Sequence, residues 1–463
     1  KKGKFDEREN FLNRLINKLP NVKFDIYGID NKQPIWADNF IKVLSESKDG
    51  TVTEGWGETP LSVAWVWPSS LDYEQRESRL IEFSVSIAHS FVESNEEGHP
   101  FELGTRYISE SLEGLRRAHN ATYHDQEELP HLAALVAFSA FDLASYDAYG
   151  KQCSRPVFEL FGPEFLTKDL SEYLHSESTF KGKYPSDYLI KPVQKIPVWH
   201  LVGGLDPIDT DELKGNEPDD GYPVLLRDWV RRDGLKCLKV KLRGTDWDWD
   251  FERMKKIGDI ASEEGVQWLS ADFNCTVNDP EYVNSVLDSI ASDCPETFKK
   301  ILYVEQPFPY ELKDNQIDVH SVADRKPLYL DESAHDWTYV KLGMSLGWNG
   351  VALKTCKTLT GAILSLCWAK ENGMGLMVQD LTNPMLAQIP HVLLAAHAGT
   401  IMGVESNGMQ FYPDASLPEE RVHPGIYRRR EGTLDMSTID GPGFGYRIQE
   451  IERELPPPVS LNI

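Results

Sequence analysis

The spacing of hydrophobic and polar positions changes along this chain of 463 residues. Near the N-terminus, DNFIKVLSE and VTEGWGETP read as two strands joined at Lys48-Asp49-Gly50, because Asp-Gly favours tight hairpin geometry. From Leu71 to Gly150 apolar residues recur every three or four positions, which predicts helices that end at Gly150. The first part of the chain is therefore predicted to be α+β.

A different pattern follows a polar, weakly periodic stretch from Pro163 to Lys195, which we interpret as a long connection. Short apolar segments then alternate with helical ones, in the order IPVWH, LKCLKVKL, VQWLSADF, KILYVEQPF, PLYLDES, NGVALKTC, MGLMVQD and GTIMGVE. Strands at this spacing predict a parallel (β/α) barrel. An open doubly wound sheet is the alternative, but no glycine-rich turn follows the first strand.

Composition and charge narrow the classes of function. Hydrophobic residues make up 41% and charged residues 26% of the chain, as in ordinary globular proteins. The formal net charge of −25 argues against a nucleic-acid partner, because phosphate binding needs clustered cations. No apolar run reaches membrane-spanning length and the cysteines form no CxxC pair, so we expect a cytoplasmic protein with reduced thiols and no membrane partner.

Carboxylates stand at the C-terminal ends of three consecutive predicted strands, where barrel strands converge on one mouth. They are Asp272, Glu305 and Asp331. Crowded carboxylates repel one another unless a cation neutralises them, and ligation by oxygen alone suits Mg²⁺. We therefore predict a metal site here, in preference to three separate helix caps or ion pairs.

Lysines flank this predicted metal site. Lys239 and Lys241 end the second strand and, being two residues apart, lie on the same side of it. Neighbouring cations should lower the pKa of at least one of them, which would suit a general base. Lys354 ends the sixth strand on the far side of the mouth, and we prefer it to Lys357, which lies beyond the strand. A substrate held at the metal would meet a lysine on each face.

These residues and their order carry a resemblance: the chain resembles the enolase superfamily, and within it the muconate lactonizing enzyme-like subgroup of the mandelate racemase/muconate lactonizing enzyme family. The motifs are LKVKLRG, ADFN, VEQP, LDES and ALKTCK, with GWGE, FDLASYDAYGK and DGPGFGY outside the barrel. The resemblance implies an α/β fold, a modified (β/α)7β TIM-type barrel with an α+β capping domain. The capping domain would span residues 1–190, the catalytic barrel 191–404, and a returning C-terminal segment 405–463.

The same resemblance implies an activity. It implies an enzyme dependent on Mg²⁺, with Mn²⁺ as a substitute, that removes the proton α to the carboxylate of a small-molecule substrate through an enediolate intermediate. The outcome would be racemization or epimerization, or β-elimination or cycloisomerization. The alternatives are a non-catalytic scaffold that binds metal and carboxylate, or an acid-sugar dehydratase. Homo-oligomers occur in the superfamily, so the resemblance is also compatible with a homo-oligomer here.

Roles follow residue by residue from the resemblance. Lys241 and Lys354 would transfer protons, and Lys239 would tune the site and bind the carboxylate. Asn274 and Glu332 would support the metal ligands.

Substrate-selecting residues are the least defined part of the resemblance. GVESNG lacks the Asp-x-Asp signature of dipeptide epimerases, which disfavours that activity and leaves Glu405 as a pocket candidate. Trp65 and Trp67, in AWVWPSS, are further pocket candidates, although both are as compatible with packing at the domain interface. His391 and His397 are interpreted as packing residues. TLTG follows Lys357 where relatives often have a Gly-Gly pair.

Overall fold

Two sheets organise the chain: a small antiparallel sheet near the N-terminus and a curled sheet of parallel strands after it. The structure is a computed structural model that describes residues 24–28, 38–47, 49–94, 97–455 and 459–460. Among these residues, no helix is both long and apolar enough to cross a membrane.

The antiparallel sheet consists of β1 (Phe24–Gly28), β2 (Asp38–Glu46), β3 (Val52–Pro60) and β13 (Val459–Ser460), in the order β13-β1-β2-β3. The predicted pairing of β2 with β3 is confirmed. Lys48, which belongs to the predicted turn, lies outside the described residues, and Gly50 of that turn has φ 83°. Since β13 pairs with β1, the end of the chain returns to this sheet.

Helices cover this sheet and form the rest of what we call the cap. They span Val63–Val66, Tyr73–Glu93, Pro100–Arg106, Glu113–Thr122 and His131–Cys153, with a π-helical turn at Tyr107–Leu112. We call His131–Cys153 the central cap helix. The predicted helix end at Gly150 is wrong, because the helix continues to Cys153 and Ser154, with φ 53°, ends it.

The GWGE motif explains how β3 lies directly on the central cap helix. A Cβ at Gly55 or Gly57 would come within 2.1 Å of the carbonyl oxygen of Ala144 or Ala140, respectively. Only glycine permits that approach. The motif therefore fixes the sheet against the helix.

The stretch from Pro163 to Lys195 is more ordered than the predicted connection. It contains the short helices Leu170–Tyr173 and Glu177–Phe180 and a 3-10 turn at Pro185–Asp187. Leu170 and Phe180 are fully buried in the main core. These apolar anchors hold a segment whose weak periodicity suggested a loop.

Eight parallel strands then form the predicted barrel, which is confirmed. They are β4 (Lys195–Val202), β5 (Cys237–Lys241), β6 (Trp268–Asp272), β7 (Ile301–Glu305), β8 (Leu328–Leu330), β9 (Gly350–Leu353), β10 (Gly375–Val378) and β11 (Val404–Glu405). Each pairs with the next from β4 to β10, and β11 pairs with β4. On the remaining side, the Ile401 amide donates to the carbonyl of Leu376 at 2.9 Å, which closes the ring.

Helices follow the strands around the barrel. They span Leu226–Asp233, Trp247–Glu263, Pro280–Asp293, Pro295–Lys300, His320–Ala323, Trp337–Leu346, Leu359–Glu371 and Gln388–Ala398. The predicted helix start at WDWD is confirmed, because Asp246 caps the helix that begins at Trp247.

The chain after the barrel turns back over both parts. It contains Gly408–Phe411, Leu417–Val422, Pro424–Tyr427 and β12 (Thr433–Asp435), which pairs antiparallel with β4. Further on, the Phe444 amide donates to Asp147 of the central cap helix at 3.0 Å. The domain boundaries at residues 190 and 404 stay predictions.

Candidate active site

Strand alternation explains why the predicted residues gather at one end of the barrel. The lower interior is filled by Trp199, Cys237, Tyr303, Tyr329 and Met377. Two residues further along β5, β7, β8 and β10, the same inward face presents Lys239, Glu305, Asp331 and Gln379. The barrel interior is thus apolar below and charged at its carboxyl-end mouth.

Lys239 lies at the centre of a buried charge network. Its Nζ is 2.6 Å from Glu305 Oε1, 3.1 Å from Glu405 Oε2 and 3.3 Å from Asp272 Oδ2. Burial alone would lower the pKa of Lys239, but these three carboxylates raise it well above its ordinary value. Lys239 is therefore a fixed positive charge among the predicted ligands.

Lys241 is the more open lysine of the pair, with 24% of its side chain exposed. Its Nζ donates to Asp272 and, at 2.7 Å, to Oδ1 of Asn274. Desolvation and repulsion from Lys239 lower the pKa of Lys241, but the charges of Asp272, Glu305 and Glu332 together raise it above its ordinary value. The prediction that the pKa of at least one of the two lysines is lowered is wrong in this arrangement, because it left out the carboxylates between them.

The pKa values of Asp272 and Glu305 are shifted in opposite directions. Burial raises the pKa of Asp272, but Lys241 and Lys239 together bring it well below its usual range. Burial, followed by repulsion from Asp272, raises the pKa of Glu305 well above its usual range. Gln379 donates to the second oxygen of Glu305, so this buried carboxyl is held on both sides.

Across the mouth, Asp331 lies between two lysines. Lys354 Nζ is 3.1 Å from Asp331 Oδ2, and Lys357 Nζ is 3.8 Å from Oδ1 and donates to the backbone carbonyl of Asp331 at 2.7 Å. Burial lowers the pKa of both lysines. Negative charge, mainly that of Asp331, reverses the shift for Lys354, whose pKa is raised, but not for Lys357, whose pKa is lowered. Lys357 thus reaches the site as well, although it lies in the 3-10 turn Thr355–Lys357 beyond the strand.

The two tryptophans of the cap have different environments. Trp65 lies over the mouth, where its indole N–H donates to Glu332 Oε1 at 3.0 Å and its ring centroid is 5.0 Å from Lys354 Nζ. Trp67 does not reach the mouth. It is buried in the core of the cap, with the guanidinium of Arg79 4.6 Å from its ring, because the short helix Val63–Val66 turns residue 67 away from residue 65.

The donor set of the mouth fits a hard divalent cation. Asp272, Glu305 and Asp331 offer only oxygen atoms, which Mg²⁺ prefers. Two buried oxygens, Asp331 Oδ1 and Glu332 Oε2, have no hydrogen-bond partner within the described part of the chain. A buried acceptor left in that condition costs roughly 1–3 kcal/mol, and a cation would satisfy it.

A second acidic cluster provides a contrast. Of the described residues, only Asp209, Asp211 and Glu212 offer three ligand atoms that all lie within 4.8 Å of one another. They belong to the polar loop after β4, and Lys256 already pairs with Asp209 at 3.0 Å and Glu212 at 2.5 Å. The strand-end carboxylates are farther apart, with Lys239 between them.

Three other predicted residues lie beneath the mouth or outside it. Glu405 is buried, and its Oε1 accepts from Asn407 at 2.6 Å while its Oε2 contacts Lys239. His391 Nε2 is 2.6 Å from the backbone carbonyl of Glu405, and His397 stacks on Phe158 at 4.2 Å. Both histidines pack as predicted.

Sequence reasoning missed three residues of the site, all next to predicted positions or strand ends. Gln306 Oε1 accepts from the Asp331 amide at 2.8 Å, and Gln379 holds Glu305. The backbone carbonyl of Asp380 accepts from Lys354 at 3.0 Å. The polar run after Val378 was the signal for the last two, since a buried strand that ends in polar residues at this mouth faces the site.

Comparison with known proteins places this geometry among related folds. The family model for enolase C-terminal domain-like proteins matches residues 223–452. No curated protein sequence matches the chain.

Solved structures match over nearly the full length. N-succinyl Arg/Lys racemase from Bacillus cereus is 15% identical, with 95% of this chain and 99% of that chain covered and a TM-score of 0.57. A mandelate racemase/muconate lactonizing protein from Paracoccus denitrificans, complexed with magnesium, is 15% identical, with 95% and 96% covered and a TM-score of 0.58. Muconate lactonizing enzyme from Klebsiella pneumoniae is 14% identical, with 95% and 99% covered and a TM-score of 0.54. At this identity the likeness establishes the fold.

Proposed function

We propose that this chain is an enzyme that removes the proton α to a carboxylate. The match over residues 223–452 assigns it to the enolase superfamily, of the mandelate racemase and muconate lactonizing enzyme-like type. Its substrate would be a small carboxylate and its cofactor Mg²⁺, bound by Asp272, Glu305 and Asp331. The reaction would end in racemization or epimerization, or in β-elimination or cycloisomerization.

The opposed lysines carry this proposal. Lys241 ends the second of eight barrel strands and Lys354 follows the sixth, so the two stand across the ring from each other. The strands that bear the three carboxylates lie between them on one side. A substrate carboxylate seated there would present opposite faces of its α-carbon to the two amines.

Each residue then has a definite task. Mg²⁺, when bound, would draw charge from the substrate carboxylate and make the neighbouring proton more acidic. One lysine, in its neutral amine form, takes that proton at its Nζ, and in a racemization the opposite lysine, in its ammonium form, delivers a proton to the other face. Lys239 provides a permanent positive charge, and Trp65 closes the mouth from the cap side.

Solvent deuterium incorporation tests the proposal. We expect the wild-type chain with Mg²⁺ in ²H₂O to replace the α-proton of at least one member of a panel of N-acyl amino acids, sugar acids and cyclic carboxylates, as followed by ¹H NMR. Exchange without elimination would identify a racemase or epimerase. Chelation with EDTA should stop the exchange.

Matched variants assign the bases. Lys241→Met and Lys354→Met should each reduce exchange by about 10²-fold or more, the usual contribution of a positioned acid or base. Lys256→Met, at the surface cluster, is the control and should leave exchange intact. Retained exchange in both mouth variants would contradict the assigned roles.

A further inference from the structure

A carboxylate of the cap holds the barrel segment that follows Lys354. Asp142 lies on the central cap helix and is 1% exposed. Its Oδ2 accepts from the Thr360 amide at 3.0 Å, and its Oδ1 accepts from the Thr360 hydroxyl at 2.7 Å. Both partners belong to the barrel helix Leu359–Glu371. We call this set of contacts the Asp142 clamp.

Tyr146 also belongs to the clamp, through the Thr360 hydroxyl. The Thr360 hydroxyl has a single proton, which goes to Asp142. Tyr146, one turn further along the central cap helix, therefore donates its own proton to Thr360 Oγ1 at 2.9 Å. Gly104 closes the clamp from above, since a Cβ there would lie 2.5 Å from Thr360 Oγ1 and 2.7 Å from Asp142 Oδ1.

The clamp provides a hydrogen-bond acceptor for the N-terminus of the barrel helix Leu359–Glu371. The first amides of a helix lack partners within the helix and attract negative charge. Asp142 accepts from the Thr360 amide at 3.0 Å, and the Thr358 hydroxyl accepts from the Gly361 amide at 2.9 Å. Of the first three amides of this barrel helix, one thus donates to the cap and one to Thr358.

The backbone just before the clamp is strained. Thr358 has φ 75° and ψ 142°, a region that favours glycine. A non-glycine residue in such a region costs about 1–3 kcal/mol and persists only where its surroundings hold it. The clamp supplies such a hold two residues later.

The strained residue links the clamp to the catalytic side chains. Lys354 and Lys357 lie four residues and one residue before Thr358, and the Lys357 amide donates to the Lys354 carbonyl at 3.2 Å. Both lysines contact Asp331. A shift of the helix start would therefore be transmitted to both amines through one short turn.

We propose that Asp142 is a positioning residue, which seats the turn that carries Lys354 and Lys357 and so makes the Lys354 side of the mouth depend on the cap. Its effect on proton transfer rests on the proposed function, whereas its effect on the turn does not. The Lys241 side, built from barrel strands, is independent of the clamp.

Amide hydrogen exchange of the full-length chain, without substrate, tests the hold on the turn. In the wild type, the Thr360 amide and hydroxyl donate to two different oxygens of Asp142, whereas Asp142→Asn leaves one acceptor oxygen for both. Amide exchange at residues 359–361, followed by mass spectrometry, should therefore rise about tenfold. Exchange at residues 239–245 should not change. Unaltered exchange at 359–361 would overturn the proposal.

A comparison of substrate enantiomers tests the consequence for chemistry. The enantiomer that Lys354→Met fails to deprotonate reports on Lys354, and the other reports on Lys241. Asp142→Asn should lower kcat about tenfold for the first and less than about threefold for the second, with KM unchanged, because small misplacements of a reacting group are costly. An equal loss on both faces would mean a general structural role and would overturn the proposal.

Matched variants separate these outcomes from misfolding. Asp279→Asn changes an exposed aspartate that caps another barrel helix through the Glu281 amide at 3.0 Å, and it should alter neither readout. Thr360→Ser keeps both donors and should behave as wild type. If Asp142→Asn does not fold, Tyr146→Phe, which removes one hydrogen bond, and Thr360→Val, which removes two, should each show the same one-sided effect. If no carboxylate exchanges in the wild type, the proposed function fails, and amide exchange alone decides the role of Asp142.

Discussion

The two sides of the mouth place a lysine in similar positions but support it differently. Lys241 contacts Asp272 and Asn274, both from the neighbouring strand β6 and the turn that follows it. Lys354 contacts Asp331 and the Asp380 carbonyl within the barrel, but Trp65 of the cap covers it. The turn after Lys354 is also held by the cap, through Asp142. One side belongs to the barrel, and the other is completed by the cap.

This difference predicts that changes in the cap affect the two lysines unequally. Changes in the cap can alter what happens at Lys354 while Lys241 keeps its geometry, because strand pairing fixes β5 against β6 at every residue from Cys237 to Lys241. Under the proposed function, a change in the cap would therefore alter proton transfer at Lys354 and leave proton transfer at Lys241 intact. The following predictions test how separate the two sides are.

The largest expected effect lies on the barrel side. Lys239→Met would leave Glu305, Glu405 and Asp272 buried without their shared cation, so the free energy of unfolding should fall by about 3–5 kcal/mol. Lys241→Met should cost far less, because that side chain is 24% exposed and its ion pair is screened. Urea unfolding followed by circular dichroism measures both. Similar losses in the two variants would show that the barrel network does not centre on Lys239.

A smaller effect, on the cap side, depends on pH. Burial raises the pKa of Asp142 from 3.8 to about 6, so the folded chain takes up a proton there before the unfolded chain does. The stability from this protonation is fully present below the unfolded pKa and is lost as pH rises through about 6. Between pH 4 and 7.5 the wild type should therefore lose up to about 3 kcal/mol relative to Asp142→Asn.

The groups that face Asp142 make this pH test clean. They are the hydroxyls of Thr360 and Tyr146 and the Leu359 and Thr360 amides, none of which titrates between pH 4 and 7.5. Urea unfolding of both proteins at pH 4.5, 6 and 7.5 gives the difference directly. Parallel stability curves would show that Asp142 is not the titrating group.

The barrel side was also the more predictable side from sequence. Period-two alternation and the position of charges at strand ends were enough to place Lys239, Asp272 and Glu305 at one mouth, since both follow from local pattern. The predicted lowering of a lysine pKa was wrong because the pKa shift does not follow from local pattern. It depends on which carboxylates approach Lys239, and that is set by neighbouring strands rather than by the KxK spacing.

The cap side was harder to predict because its contacts are distant in sequence. Asp142 and Thr360 are 218 residues apart, and nothing near either residue marks the other as a partner. Trp65 and Trp67 are alike in sequence, and only the turn of Val63–Val66 directs one to the mouth and the other into the cap core. Local pattern predicts elements and their ends, whereas contacts between domains need the fold.

The smallest expected effect concerns Trp65, the other contact of the cap with the Lys354 side. Trp65→Phe keeps a ring near Lys354 but removes the indole donor to Glu332, a bond worth about 1 kcal/mol or somewhat more because its acceptor is charged. Proton exchange of the enantiomer that faces Lys354 should slow by about fivefold, while the other enantiomer changes little. Trp67→Phe is the matched control: it lies in the cap core, so it should lower the free energy of unfolding and leave the ratio of the two exchange rates as it is. If Trp65→Phe slowed both enantiomers equally, the cap would support the whole mouth, and the division into a barrel side and a cap side would fail.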